Sequence, residues 1–481
     1  MHSARAVLKD ERGIAVVVAV VALMTLTALV LAFLAVSAYE PQISKNLADS
    51  TRARYIAEAG LEAAYDTLVA NTTWNNYIIG GTCTDGDTGV VMGAQNQAMP
   101  GLTSSSGTYT IRVRNDCQTN DATITGVTRE ANTTGAADGN NHLILTSTGT
   151  YGTATRTMTV VITRVANLLS PNAPASGQIN ASLSFPGYES DTYFTGNSFT
   201  VDGRNHDLSG NLTTGQALLG ISVGPENQFV PQGGPLMHHE QTVQNSVSSQ
   251  QQDNIVGVHE TNPNATAEGN LTIAAGALTS AAVTDFVNAV KGYADITVNT
   301  SSSSTTTYVR ATNSTTTTSG AASYNVLGST CSSDINSPSC FGTAANPKVV
   351  YIKGTLDPTS AFNALTISGN SSGYGILIVE DGDFTINGNF QWTGPIIVTG
   401  GYVGVGINGG GNQQILGALI SNETATNEAP GFYEGVLQGN AKVNYSRAAL
   451  DQALTALASK VPGGNGGSAY VKITMYNFQE Q

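Results

Sequence analysis

Twenty-six consecutive residues, Ile14 to Tyr39, carry no charge. At about 1.5 Å per residue, a helix of that length exceeds a hydrocarbon core of roughly 30 Å, so the segment is long enough to span a bilayer. Arg5, Lys9 and Arg12 precede it, and the first charge after it is Glu40. The positive-inside rule then keeps residues 1–13 in the cytoplasm and exports the remainder. A secretory signal has a shorter apolar core closed by a small-residue cleavage site on the far side. Here Ile43, Leu47, Leu61, Tyr65 and Leu68 instead continue at helical spacing, interleaved with Lys45, Arg52, Arg54, Glu58 and Glu62. The spacing predicts a second, amphipathic half of the helix, with Pro41 as a kink between the halves.

The exported part has the composition of a β-rich protein. Only 11% of residues are charged while 40% are apolar, and the rest is dominated by Gly, Thr, Ser and Asn, which suits short strands joined by polar turns. A formal charge of -14 and the lack of a basic stripe after Arg54 exclude a nucleic-acid partner. The four cysteines, Cys83, Cys117, Cys331 and Cys340, all follow the apolar segment. They are expected to pair in chain order as two disulfides in an oxidising compartment. No CxxC spacing or adjacent histidine supports zinc.

Glu11-Arg12-Gly13-Ile14, the apolar run, and Arg54-Tyr55-Ile56-Ala57-Glu58-Ala59-Gly60-Leu61-Glu62 resemble the PilX N-terminal family of type IV pilus assembly proteins over about the first 70 residues. The resemblance implies a prepilin peptidase that cuts between Gly13 and Ile14 and methylates the new N-terminus at Ile14. It also implies partnership with other pilins, with the chain held single-pass in the inner membrane before it joins an extracellular pilus at the cell surface. Major pilins carry a glutamate four residues after the cut, where this chain has Val18. That departure points to a minor pilin or tip-type subunit, with a pseudopilin of a type II secretion system as the alternative.

Thr108 to Arg114 alternates strictly, and His142 to Thr148 and Arg156 to Val165 nearly so, as half-buried antiparallel strands do. Gly149-Thr-Tyr-Gly152 reads as the hairpin between the last two. The expected fold class is α+β: a leader at 1–13, a long helix at 14–70, and an antiparallel pilin-like sheet at 71–166 with a long loop over 115–141. Residues 167–177, with Pro171 and Pro174, read as an interdomain linker.

Beyond the linker a motif recurs: Phe199-Thr-Val-Asp-Gly203, Leu365-Thr-Ile-Ser-Gly369, Phe384-Thr-Ile-Asn-Gly388 and Val405-Gly-Ile-Asn-Gly409. A second series, Val349-Val-Tyr-Ile352, Ile376-Leu-Ile-Val379, Pro395-Ile-Ile-Val398 and Gly417-Ala-Leu-Ile420, interleaves with it. Two apolar strands per repeat, joined by Gly/Asn corners, predict a parallel β-helix or similar solenoid over 178–465, interrupted by an insertion at about 204–348. A strand or tail follows at 466–481. Ser446 to Lys460 reads as a helix capping the stack, and Thr279 to Val290 as a helix within the insertion.

Polysaccharide lyases and hydrolases share such scaffolds, so a membrane-anchored β-helix enzyme is the reading outside the pilin class. Its chemistry needs clustered carboxylates or a base beside a cation. Glu380, Asp381 and Asp383 on one turn, with isolated Lys353 and Lys442, read instead as a solvated corner, and no catalytic residue is assigned. No metal and no cofactor are assigned: Asp85 and Asp87 lack the closing glutamate of a calcium loop, and His206, His238, His239 and His259 read as polar loop residues. Trp392, Tyr374 and Tyr402 read as packing residues before a sugar-binding face. The expectation is a non-enzymatic subunit whose β-rich domain meets a surface glycan, host ligand or partner.

Overall fold

The computed structural model describes residues 11–480 except 72, 126, 128, 131–134, 174, 225–238, 259–272, 302–313, 320–321, 356–362, 409, 426–432 and 461–469. It comprises two compact units, one of Met1–Thr163 with Thr474–Gln481 and one of Arg164–Ile473. Four α-helices are described: α1 (Glu11–Ala70), α2 (His239–Ser246), α3 (Ser280–Val290) and α4 (Arg447–Ala458).

In the first unit α1 is one continuous helix that runs through Pro41. From residue 14 to residue 48 every described side chain is exposed, including Ile43 and Leu47. The buried stripe begins only at Ala53 and continues through Ile56, Ala57, Gly60, Leu61, Ala64 and Leu68, a three-to-four spacing that puts all seven on one face. That face packs on strands Thr108–Asn115 and His142–Tyr151. Glycines on both sides permit the approach: a Cβ on Gly60 would lie 2.3 Å from Ser147 Oγ, and one on Gly149 would lie 2.1 Å from the Ala53 carbonyl.

The sheet runs Val90–Val91, Thr108–Asn115, His142–Tyr151, Ala154–Ala166, Tyr470–Glu480, with antiparallel ladders among the first four. The alternation of Thr108–Asn115 between buried and half-buried positions is the one its sequence shows. Tyr151 faces Ala154 across the hairpin, so the turn is Gly152-Thr153, and Gly149 sits inside the strand where α1 approaches. The last residues of the chain supply a strand beside Ala154–Ala166.

The second unit therefore leaves the first within one strand and returns within another. This corrects the linker expected at 167–177: Leu168, Leu169, Ala173 and Ile179 are buried, and Leu168, Leu169 and Ile179 join an apolar core with α3 and α4. A unit entered directly from a sheet strand needs no flexible tether.

The second unit is a three-faced parallel coil. In one turn, 370–374 forms the first face, 376–380 the second and 383–387 the third, and the next turns repeat this at 389–393, 395–400 and 405–408. The corner between first and second faces is a stack of Gly375, Gly394 and Gly417 with φ of 117, 128 and 147°. A Cβ on Gly394 would lie 2.0 Å from the Gly375 carbonyl, so no larger residue fits. At another corner an asparagine ladder stacks the turns: Asn389 Nδ2 donates to Asn370 Oδ1 at 2.7 Å, and Asn412 N donates to Asn389 Oδ1 at 2.8 Å.

The second face is buried on both sides. Leu377 and Val379 point into the coil with Phe384, Phe390 and Trp392, while Ile376 and Ile378 point outward beneath α3 and α4. Burial of alternate residues on opposite sides explains why these strands are continuous apolar runs. It also corrects the place of α4. Leu450, Ala453, Leu454 and Leu457 cover the flank of this face and do not cap an end of the stack, because that flank is apolar and needs a cover.

The order of strands along the second face shows how the chain is wound. It reads Ile273–Ala275, Leu219–Val223, Ala181–Phe185, Gln413–Glu423, Asn389–Gly400, Asn370–Glu380, Lys348–Lys353, Ile296–Ser301, Ser314–Ser319. The chain winds outward from 181 to 275, and rewinds from the opposite end back to 445. The two runs meet at a parallel seam, Leu183 opposite Leu419 on the second face and Thr192 to Thr195 opposite Gly435 to Gln438 on the third. Ser182 Oγ donates across it to the Val443 carbonyl at 2.6 Å.

Two expectations change accordingly. Residues 204–348 are not an insertion beside the coil, because their described strands extend both of its ends. The Phe199 motif lies on the first face, Val201 opposite Val443, whereas the Leu365, Phe384 and Val405 motifs lie on the third. An apolar-Thr-apolar-polar-Gly string fits any inward-facing strand before a corner, so it reports a turn of the coil and not a particular face.

Candidate functional site

Among the described residues one helix, Ile14–Ala70, is long and apolar enough to cross a membrane, with a mean hydropathy of 2.9 over an 18-residue window. Gly13 and Ile14 lie in its first described turn. Ile14 is 64% and Val18 60% exposed. The two threonine hydroxyls within the apolar run are turned back on the helix, Thr25 Oγ1 donating to the Ala22 carbonyl at 2.9 Å and Thr27 Oγ1 to the Leu23 carbonyl at 2.6 Å. Such bonds satisfy these threonines without a partner helix. Charged pairs begin where the run ends, Arg52 with Asp49 at 3.9 Å and Arg54 with Glu58 at 3.1 Å.

A second cluster lies at the corner between the second and third faces of the coil. Glu423 ends strand Gln413–Glu423 opposite Gly400, Glu434 immediately precedes strand Gly435–Gln438, and Glu189 lies in the turn stacked upon them from across the seam. Backbone bonds fix the three: Tyr188 N donates to the Glu423 carbonyl and Glu434 N to the Asp191 carbonyl, both at 2.9 Å. One carboxylate oxygen from each lies within 4.8 Å of the others, and the residues are 5% (Glu189), 1% (Glu423) and 1% (Glu434) exposed. Among the described residues, none donates an N–H or hydroxyl hydrogen bond to either Glu423 oxygen.

Burial drives the Glu423 carboxyl up to about 8; the adjacent Glu434 carboxyl offsets part of this by hydrogen bonding, and the charges of Glu189, Asp191 and Asp383 add to it. Burial likewise raises Asp191, and lifts Asp383 to about 6 against the Gly404 N–H donated to it at 2.9 Å. Sequence reasoning missed this cluster. Glu189 lies far in the chain from Glu423 and Glu434, and the signal that finds the latter two is the corner register they share with Asp381 and Asp383 two turns away.

That acidic turn is in a different state. Glu380 meets Lys291 at 3.0 Å, Lys353 at 3.6 Å and the Tyr351 hydroxyl, while Asp381 meets Lys353. Burial raises Glu380, but the Tyr351 hydroxyl and the lysines outweigh it and hold its pKa below the ordinary value. Cys83 is joined to Cys117 and Cys331 to Cys340. Asp87 accepts from Thr82 N and Oγ1 and from Gly89 N, which lowers its pKa, and Asp85 accepts from Thr119 N; both order their loop.

Among the described residues the histidines do not converge. His206 Nδ1 lies 2.7 Å from the Arg204 carbonyl; His239, on α2, lies 3.0 Å from Ser190 Oγ with its pKa lowered to about 4 by burial. His238 and His259 lie outside the described residues. Trp392 is buried and stacked on Phe390, while Tyr374 and Tyr402 are half-buried.

No family model and no curated protein matches the chain. Among solved structures, the crystal structure of competence-associated pilin ComZ from Thermus thermophilus matches at 13% identity, covering 90% of this chain and 98% of that one, with a TM-score of 0.26. A likeness of that degree carries no conclusion about this chain.

Proposed function

We propose that the chain is a minor, pilin-like subunit whose helix α1 is held in the inner membrane by its apolar half and then packs against the helices of other pilins in a filament. The observation that carries this reading is the division of α1: a long, fully exposed apolar stretch continues without a break into a stripe packed on an antiparallel sheet. A plain anchor needs only apolar length and flanking charge. An exposed face that runs past Pro41 to Leu47, beyond the charge-free segment, is accounted for by neighbouring helices. Val18, lacking a carboxylate to pair with a neighbour's amine, favours a minor position, and the bulk of the coil favours the tip, where it meets a surface, glycan or partner. The role is non-enzymatic: the acidic turn at Glu380 and Asp381 is neutralised by Lys291 and Lys353.

The test is the intact N-terminal mass of protein purified from cells with and without prepilin peptidase. The expected result is a chain beginning at N-methylated Ile14 only when the peptidase is present. An intact Met1 in both cells, or a cut beyond Tyr39, overturns the assignment.

A further inference from the structure

The carboxylates at the coil corner are built as a ligand set. We propose that Glu189, Glu423 and Glu434 bind one divalent cation of the calcium class, which fastens the seam between the outgoing and returning runs of the coil.

Two observations support this independently. Three glutamates converge within 4.8 Å in a nearly solvent-free corner, where mutual repulsion is little screened. Glu423, 1% exposed, also has both oxygens without an N–H or hydroxyl donor among the described residues, a costly arrangement for a buried carboxylate. At the same corner two turns away, Asp381 stacks in the register of Glu423 and is met by Lys353, and its neighbour Glu380 is met by two lysines and a tyrosine, so this fold supplies cationic partners where it uses none from solution.

The chemistry of the donors selects the ion. All are hard carboxylate oxygens, with no thiolate or imidazole, which favours calcium, magnesium or manganese over zinc or copper. Three glutamates offer six oxygens, and calcium takes about six to eight in flexible geometry, whereas magnesium keeps several waters that a closed corner does not admit. Asp191 and Asp383 add negative charge around the site. Glu189 belongs to the outgoing run and Glu423 and Glu434 to the returning one, so the cation bridges the two runs at their parallel seam.

The experiment uses the full-length protein in detergent, stripped with EGTA and titrated calorimetrically with calcium or magnesium. Expected are one calcium per chain with a dissociation constant below about 1 mM and weaker magnesium binding, and a Tm raised by about 5 °C at saturation. Calcium should slow hydrogen exchange at 181–190 and 417–423. Glu423→Gln and Glu434→Gln should each weaken calcium binding by at least about tenfold, since ligand charge sets affinity. Absence of calcium uptake, as when Glu423 and Glu434 merely share a proton, overturns the proposal. So does uptake with protection confined to other segments, or native affinity in either folded variant. The exchange pattern decides with native protein alone should neither variant fold.

Discussion

Asp116 of the first unit is fully buried, takes one hydrogen bond from Asn140 Nδ2 at 2.9 Å, and leaves its other oxygen without a donor. Burial lifts its pKa from 3.8 to about 6, against the lowering effect of Asn140. The folded value lies above the unfolded one, so the group's contribution to stability is fully present below about pH 4 and is lost as pH rises through about 6. Asp116→Asn keeps the acceptor and removes the charge. Relative to the native protein it should gain about 2–3 kcal/mol at pH 7.5 and nothing at pH 3, read from urea denaturation at the two values. Single residues of this kind were largely silent in the sequence. Asp116 and Glu423 look like ordinary loop or strand-end acids, and burial is a property of the fold they sit in. The cysteine pairs were legible because the four cysteines pair in chain order.

Among the elements, the glycine corner and the flank helix carry separate expectations. Gly394→Ala combines a φ of 128° with a Cβ 2.0 Å from the Gly375 carbonyl, and should cost more than about 3 kcal/mol in chemical denaturation, with reduced expression as the accompanying sign. Leu454→Ala on α4 removes a buried side chain from the core above Ile376 and Ile378, and should cost about 2–4 kcal/mol. A helix covering only an end of the stack would leave the turns around Ile376 untouched, whereas hydrogen exchange in this variant should rise there. The repeats themselves were legible, because Leu365, Phe384 and Val405 recur with the period of one turn and the Ile376 and Pro395 runs mark a doubly buried strand. The role of α4 was not: an amphipathic helix announces its apolar face and says nothing of which surface receives it. Nor were the outer strands at 296–301, 314–319 and 322–325, where threonine and serine replace the aliphatic runs.

For the molecule as a whole, removal of residues 1–48 deletes only side chains that are exposed among those described, and spares the stripe that starts at Ala53. That variant should be a detergent-free monomer by light scattering, with a Tm within about 2–4 °C of the full-length protein in detergent. The long helix and the mainly-β remainder were readable from charge and periodicity. The insertion was not, because a terminal strand such as Tyr470–Glu480 has the same pattern whether it closes its own domain or one begun far earlier. That topology bears on the order of events during synthesis. The strand completing the first unit's sheet leaves the ribosome only after residues 164–473. The first unit waits as an open sheet until then. Folding of the intervening unit draws the two ends of a very long loop together, which removes most of the entropy cost of adding that final strand. Within the coil the same holds, since Leu183 waits for Leu419. The strand Tyr470–Glu480 thus acts as a checkpoint: a chain cut short before it leaves an unpaired edge in the first unit, the kind of surface that quality-control proteases and aggregation both recognise.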